Sequence, residues 1–166
     1  GALARAAGAT TGTTRGADTA GKGGLVGNGP SLDNGGSGTA AGGEGMGVRL
    51  GGGASVTNLG MIQGGDGVGA GVLVQTGANT LFTNSVGASV SAASGIAIQG
   101  AAGRTTVLNS GTLGGDVLLD RGNDLFRWAP RSRVTGIPDG GAATDDLILF
   151  QSDAPHPVHD PFALGD

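Results

Sequence analysis

One period constrains this chain more than anything else in it. Gly47-Val48-Arg49-Leu50, Gly71-Val72-Leu73-Val74 and Gly95-Ile96-Ala97-Ile98 start 24 residues apart, and each reads glycine, apolar, variable, apolar. Asp116-Val117-Leu118-Leu119 continues the series after 21 residues, and Asp146-Leu147-Ile148-Leu149 extends it as a fifth copy after 30. A second marker keeps the same pace: VTNLGMIQG (Val56 to Gly64), FTNSVGASV (Phe82 to Val90) and VLNSGTLGG (Val107 to Gly115). Their asparagines, Asn58, Asn84 and Asn109, lie 26 and 25 residues apart. Two markers sharing one period of this size signal a solenoid, propeller or array. A propeller blade takes about 40–45 residues and four strands, more than the period supplies. One coil of a parallel β-helix, two or three short strands joined by turns, fits it.

The local pattern agrees. Alternation inside each marker has the period of two expected of a strand with one buried face. Helical apolar spacing is nowhere sustained, and glycine, at 38 of 166 residues, would cost a helix about 1 kcal/mol per site. The expected fold is therefore all-β, a parallel β-helix of about four to five coils over residues 47–150. In it Val48, Val72, Ile96 and Val117 form one ladder, and Leu50, Val74, Ile98 and Leu119 a second. Val56, Phe82, Val107 and Phe126 form a third, with rungs about 4.8 Å apart. So narrow an interior explains why the chain has 4 Phe, 1 Trp and no Tyr. Asn58, Asn84 and Asn109 are expected just past a strand, where asparagine tolerates left-handed backbone and hydrogen-bonds its copies above and below. Gly47, Gly71 and Gly95 are expected to be coil corners.

Outside the coils there is less to read. From residue 1 to 46 the large apolar side chains are Leu3, Leu25, Val26, Leu32 and Met46, too few to offset roughly 1–2 kcal/mol of backbone entropy per ordered residue. That part reads as a loosely ordered glycine-rich segment or a degenerate first coil, and residues 151–166 as a proline- and histidine-containing tail. The net charge of −4 argues against nucleic acid as a partner. Without cysteine there are no disulfides, thiol chemistry or Cys-based zinc sites. The longest run of large apolar residues, Leu147 to Phe150, falls far short of the ~18 that suggest a membrane-spanning helix. Gly1 to Thr10 has no apolar stretch of the signal-peptide kind, so the chain reads as a fragment with any export signal upstream.

The units VTNLGMIQG and VLNSGTLGG, followed by Gly115 to Phe150 (GDVLLDRGNDLFRWAPRSRVTGIPDGGAATDDLILF), resemble the passenger region of bacterial autotransporters. The resemblance covers about residues 42–150; its middle unit carries Val86 where the pattern has glycine. It implies a right-handed parallel β-helix with a structural and adhesive role, at or released from the surface of a Gram-negative bacterium. It also implies a host or cell-surface ligand, and an outer-membrane barrel elsewhere in the parent chain.

Other motifs compete with blander readings. Gly16 to Lys22 fits the G-x-x-x-x-G-K frame of a phosphate loop, but Gly23 stands where a hydroxyl is needed and no apolar strand precedes it; no nucleotide is expected. Asp120 and Asp124, and Asp139 and Asp145, sit in turns similar to those of calcium-binding β-rolls. Calcium wants six to eight oxygens, and with two isolated, imperfect copies, turn capping by Asp and Asn through their own side chains is the expected role. Asp116, Asp120 and Asp124 are the acidic set that a β-helix enzyme would need to bring into one groove. His156 and His159 lie in the proline-rich tail, and Arg127, Arg131 and Arg133 around Trp128 read as a solvated loop between coils. The expectation is no catalytic, cofactor or metal site. The alternatives are a carbohydrate-active β-helix enzyme of the pectate-lyase type and a calcium-stabilised β-roll segment.

Overall fold

The computed structural model describes residues 46–51, 53–64, 67–75 and 79–149, and upstream of them the backbone of six short strands. Those six are β1 (Arg5–Ala7), β2 (Gly12–Thr14), β3 (Ala17–Ala20), β4 (Leu25–Asn28), β5 (Leu32–Asn34) and β6 (Ser37–Ala40). Twelve follow: β7 (Val48–Gly51), β8 (Ser55–Asn58), β9 (Met61–Gln63), β10 (Val72–Val74), β11 (Thr80–Asn84), β12 (Ser89–Gln99), β13 (Thr105–Asn109), β14 (Thr112–Leu118), β15 (Leu125–Trp128), β16 (Arg133–Val134), β17 (Pro138–Asp139) and β18 (Asp146–Leu149). Every strand pairing is parallel, and each strand lies on the one reached a coil earlier or later. Parallel neighbours need a long connection, and here the remaining two sides of the coil supply it.

The result is a parallel β-solenoid of about four turns with three faces. The first face stacks β7, β10, the end of β12, the end of β14 and β17. The second stacks β8, β11, β13, β15 and β18. The third stacks β9, the start of β12, the start of β14 and β16. β12 and β14 run unbroken around the corner from the third face to the first. Upstream, β4, β5 and β6 pair with β7, β8 and β9. The segments between those six strands lie outside the described residues, as does the tail 151–166 with His156 and His159; the loose order expected of residues 1–46 concerns that undescribed part.

The core is one cluster of inward Val, Ile, Leu and Phe with Trp128. The third expected ladder is present rung for rung: Val56, Phe82, Val107 and Phe126 are in register and fully buried, and Leu147 continues the register. The other two ladders need correction. Val72 pairs with Ile98, not Ile96, and Ile98 in turn with Val117. The third coil holds two residues more than the 24-residue period allows, Val72 to Ile98 being 26 apart, and between Ser91 and Ile98 the strand bulges against β14 of the next coil. Ile96 is consequently half-buried and opposite Asp116. The second ladder reads Leu50, Val74, Gly100, Leu119 by the pairing register, and a Cβ on Gly100 would collide with the Leu119 carbonyl.

Gly95 is not a corner equivalent to Gly47 and Gly71. Gly47 N–H donates to Ala70 O and Gly71 N–H to Ile96 O, so Gly71 stacks on Ala97. Gly95 is exposed, at φ 80, with open space beside it. Asp146 to Leu149 is likewise no fifth copy of the first marker: β18 lies on β15, in the second face, and the fifth rung of the first face is Pro138 on Val117. Val86 does not replace a glycine. Val86 and Gly87 are a two-residue insertion in a turn closed by Ala88 N–H on Ser85 O, and Ala88 takes the place that Gly111 has one coil later.

Candidate functional site

Two strands of the second face bury a polar, an apolar and a polar side chain in turn: Thr80, Phe82, Asn84 in β11 and Thr105, Val107, Asn109 in β13. Two polar ladders therefore flank the apolar one. At the strand ends Asn58, Asn84 and Asn109 share a rung, and the backbone register adds Asn34 upstream. Asn58 Nδ2 donates to Asn84 Oδ1 and Asn84 Nδ2 to Asn109 Oδ1, both at 2.9 Å. Each Nδ2 also reaches a carbonyl of the next coil's third face: Ser89 O, Thr112 O and Arg133 O at 3.0, 3.2 and 3.4 Å. Oδ1 of Asn58 and of Asn109 accepts from the N–H two residues on, Gly60 and Gly111, at 3.2 Å. The expected stacking of copies holds, but the backbone is extended rather than left-handed: these are the last residues of β8, β11 and β13.

Trp128 ends the amide ladder. It is in register with Asn109, buried, tilted at 41° to the Phe126 ring 6.0 Å away, and its Nε1 donates to Ser132 O at 3.3 Å. Arg127 and Trp128 thus belong to β15 rather than to a solvated loop. Arg131 (φ 66) and Arg133 are exposed on the turn and strand that follow. The expectation of a loop holds only for that turn. A depression of about 260 Å³ on the outside of this face is lined by Thr83, Leu108, Asn109, Ser110, Arg127 and Ala129.

At the other strand ends Thr80, Thr105, Asp124 and Asp145 occupy one rung, all buried. Thr105 N–H donates to Asp124 Oδ1 at 2.6 Å and Asp124 N–H to Asp145 Oδ1 at 2.9 Å. The second oxygen of each carboxylate, with the Thr105 hydroxyl, is buried without a hydrogen-bond partner. Burial pushes the Asp124 carboxyl up to about 6; the Thr105 N–H opposes the rise, and the charges of Asp145 and Asp120 add to it. The two acidic turns, read from sequence as isolated, stack directly: Ala142 N–H donates to Asp120 O, and Arg121 bridges Ala142. Only the Asp139 cap is local, its Oδ1 accepting from Gly141 N–H at 2.9 Å. Asp124 and Asp145 cap the neighbouring coil instead, and Thr105, which the sequence did not single out, completes their rung.

Of the acidic set considered for catalysis, Asp120 alone is exposed. Asp124 points into the core, and Asp116 Oδ1 accepts from Ile137 N–H on the first face at 2.8 Å. The phosphate-loop frame is crossed by β3, which pairs with β6. No group of three His, Cys, Asp or Glu suited to a metal ion occurs among the described residues. In comparisons with known proteins, no family model, curated protein or solved structure matches the chain.

Proposed function

We propose that this chain is a structural and adhesive stretch of a surface-displayed or secreted passenger of the autotransporter kind: a spacer whose coils hold binding faces outward. The observation that carries this reading is where the buried polar groups go. The Asn58, Asn84 and Asn109 amides, the Asp124 and Asp145 carboxylates and the Asp116 cap all bond from one coil to the next. Chemistry-bearing side chains are thereby spent on nearest-coil joints, as a repeat rod requires. Four turns at about 4.8 Å give a rod segment of roughly 20 Å, with the outward residues of β8, β11 and β13 free to meet a partner.

The barrel and the export route rest on the likeness of the VxNxGx(I/L)xG units. The test is to place the chain upstream of an outer-membrane barrel in a Gram-negative host and probe intact cells with antibody and protease. Surface exposure together with binding of the cells to an epithelial or matrix layer supports the reading. Retention inside the cell, or cleavage of polyuronate by the purified chain, overturns it in favour of the enzymatic alternative.

A further inference from the structure

The rung of Thr105, Asp124 and Asp145 lacks something that its counterpart at the far end of the same strands possesses. In the asparagine ladder each side chain brings an acceptor and a donor, so one amide feeds the next. Ionised carboxylates bring acceptors only. Backbone N–H groups satisfy Oδ1 of Asp124 and of Asp145, and both Oδ2 atoms and the Thr105 hydroxyl are left buried and unpartnered. The Thr105 hydroxyl, the one side-chain donor of the three, reaches neither Oδ2, and a proton is the smallest group that removes one of the two buried charges. Space argues the same way: Asp145 Oδ2 abuts Gly140, where even a Cβ would stand only 2.5 Å from it.

We propose that this rung is a proton-operated latch, which ties the last described coil, carried by β18, to β15 when Asp124 holds a proton and loosens that coil when both carboxylates are ionised. With the proton on, Asp124 is neutral like an asparagine, one oxygen still accepting from Thr105 N–H and the other carrying the proton. With it off, two negative charges stack on consecutive coils in a place closed to water. The charged groups acting on Asp124 are Arg104 from the turn before β13, Asp120 from its own turn and Asp145 from the turn before β18. Only the arginine favours the ionised form, and it is exposed.

The direction of the response follows from the Asp124 carboxyl, raised from 3.8 to about 6. Between those values the folded chain binds more protons than the unfolded one, so stability is complete below about 4 and is lost as pH rises through about 6. The test is thermal melting of the chain between pH 4.5 and 7.5, with hydrogen exchange at the amides of residues 146–149, corrected for the intrinsic pH dependence of exchange. The wild type is expected to lose about 5 °C in Tm across that range and to lose protection first in β18. Asp124→Asn, which carries the donor permanently, is expected to hold the acid-side Tm at every pH. Asp145→Asn serves as the second variant should the first not accumulate; it removes one charge of the pair but leaves Asp124 buried, and is expected to make the profile shallower without flattening it. A wild-type Tm that is flat or rises with pH, or an equal slope in a folded variant, overturns the proposal. So does recovery of the acid-side Tm at pH 7.5 by calcium alone, which would make the rung a cation site.

Discussion

The two ends of the second face put the same problem to different side chains. Both ends bury a polar rung, and both do so coil upon coil. At the C-terminal ends of β8, β11 and β13 the rung is asparagine, and each amide is bonded to the amide or backbone of the next coil. At the N-terminal ends it changes along the rod from Thr80 and Thr105 to Asp124 and Asp145, and oxygens are left over. A stacked rung closes on itself only when each member both gives and takes a hydrogen bond; one that only accepts stores an unfavourable charge at every copy. The comparison separates a joint that is insensitive to pH from one that is not.

The largest expected effect comes from breaking the good rung. Asn84→Leu removes the donors to Asn109 Oδ1 and Thr112 O and the acceptor for Asn58 Nδ2, and should cost about 3 kcal/mol in urea unfolding at any pH from 5 to 8. Mending the poor rung works in the opposite direction. Asp124→Asn should gain about 2 kcal/mol at pH 7.5, from a carboxyl raised by about two pH units, and nothing near pH 4.

These two rungs also mark how far the sequence could be read. The asparagine rung and the Val56, Phe82, Val107, Phe126 ladder were legible because strand length and spacing repeat across the second face, and an inward residue keeps its place when the coil length changes elsewhere. The first face was misread at Gly95 and Ile96. The added residues of the third coil precede Ile98, and a glycine happened to fall where the 24-residue period wanted one. In a chain with 38 glycines, that coincidence has little weight against the register of hydrogen bonds. Asp146 to Leu149 was assigned to the wrong face because period-two alternation says which side of a strand is buried, not which side of the coil the strand belongs to. The carboxylate rung was invisible for a third reason. Asp124 and Asp145 look like local turn formers, and only the 21-residue step between stacked turns shows that each caps its neighbour.

Smaller effects sharpen the register. Gly100→Ala drives a Cβ into the Leu119 backbone and should cost about 1.5 kcal/mol. Gly95→Ala meets open space and bears only the cost of a left-handed backbone, about 1 kcal/mol. Equal costs would favour the 24-residue register over the observed one; denaturant midpoints decide it. Smallest of all, deleting Val86 and Gly87 gives the middle unit the turn length of its neighbours, with Ala88 where they have Gly60 and Gly111, and should change stability by less than about 0.5 kcal/mol.

The central claim is that a buried rung needs a donor as well as acceptors, and Asn84→Asp tests it most directly by converting the good rung into the poor kind. Urea unfolding of this variant and of the wild type at pH 5 and pH 7.5 gives the difference between them at each pH. The account predicts a penalty at least about 1.5 kcal/mol larger at pH 7.5, because the new carboxylate faces Asn109 Oδ1 and Thr112 O without a proton. A penalty that is the same at both pH values would contradict it.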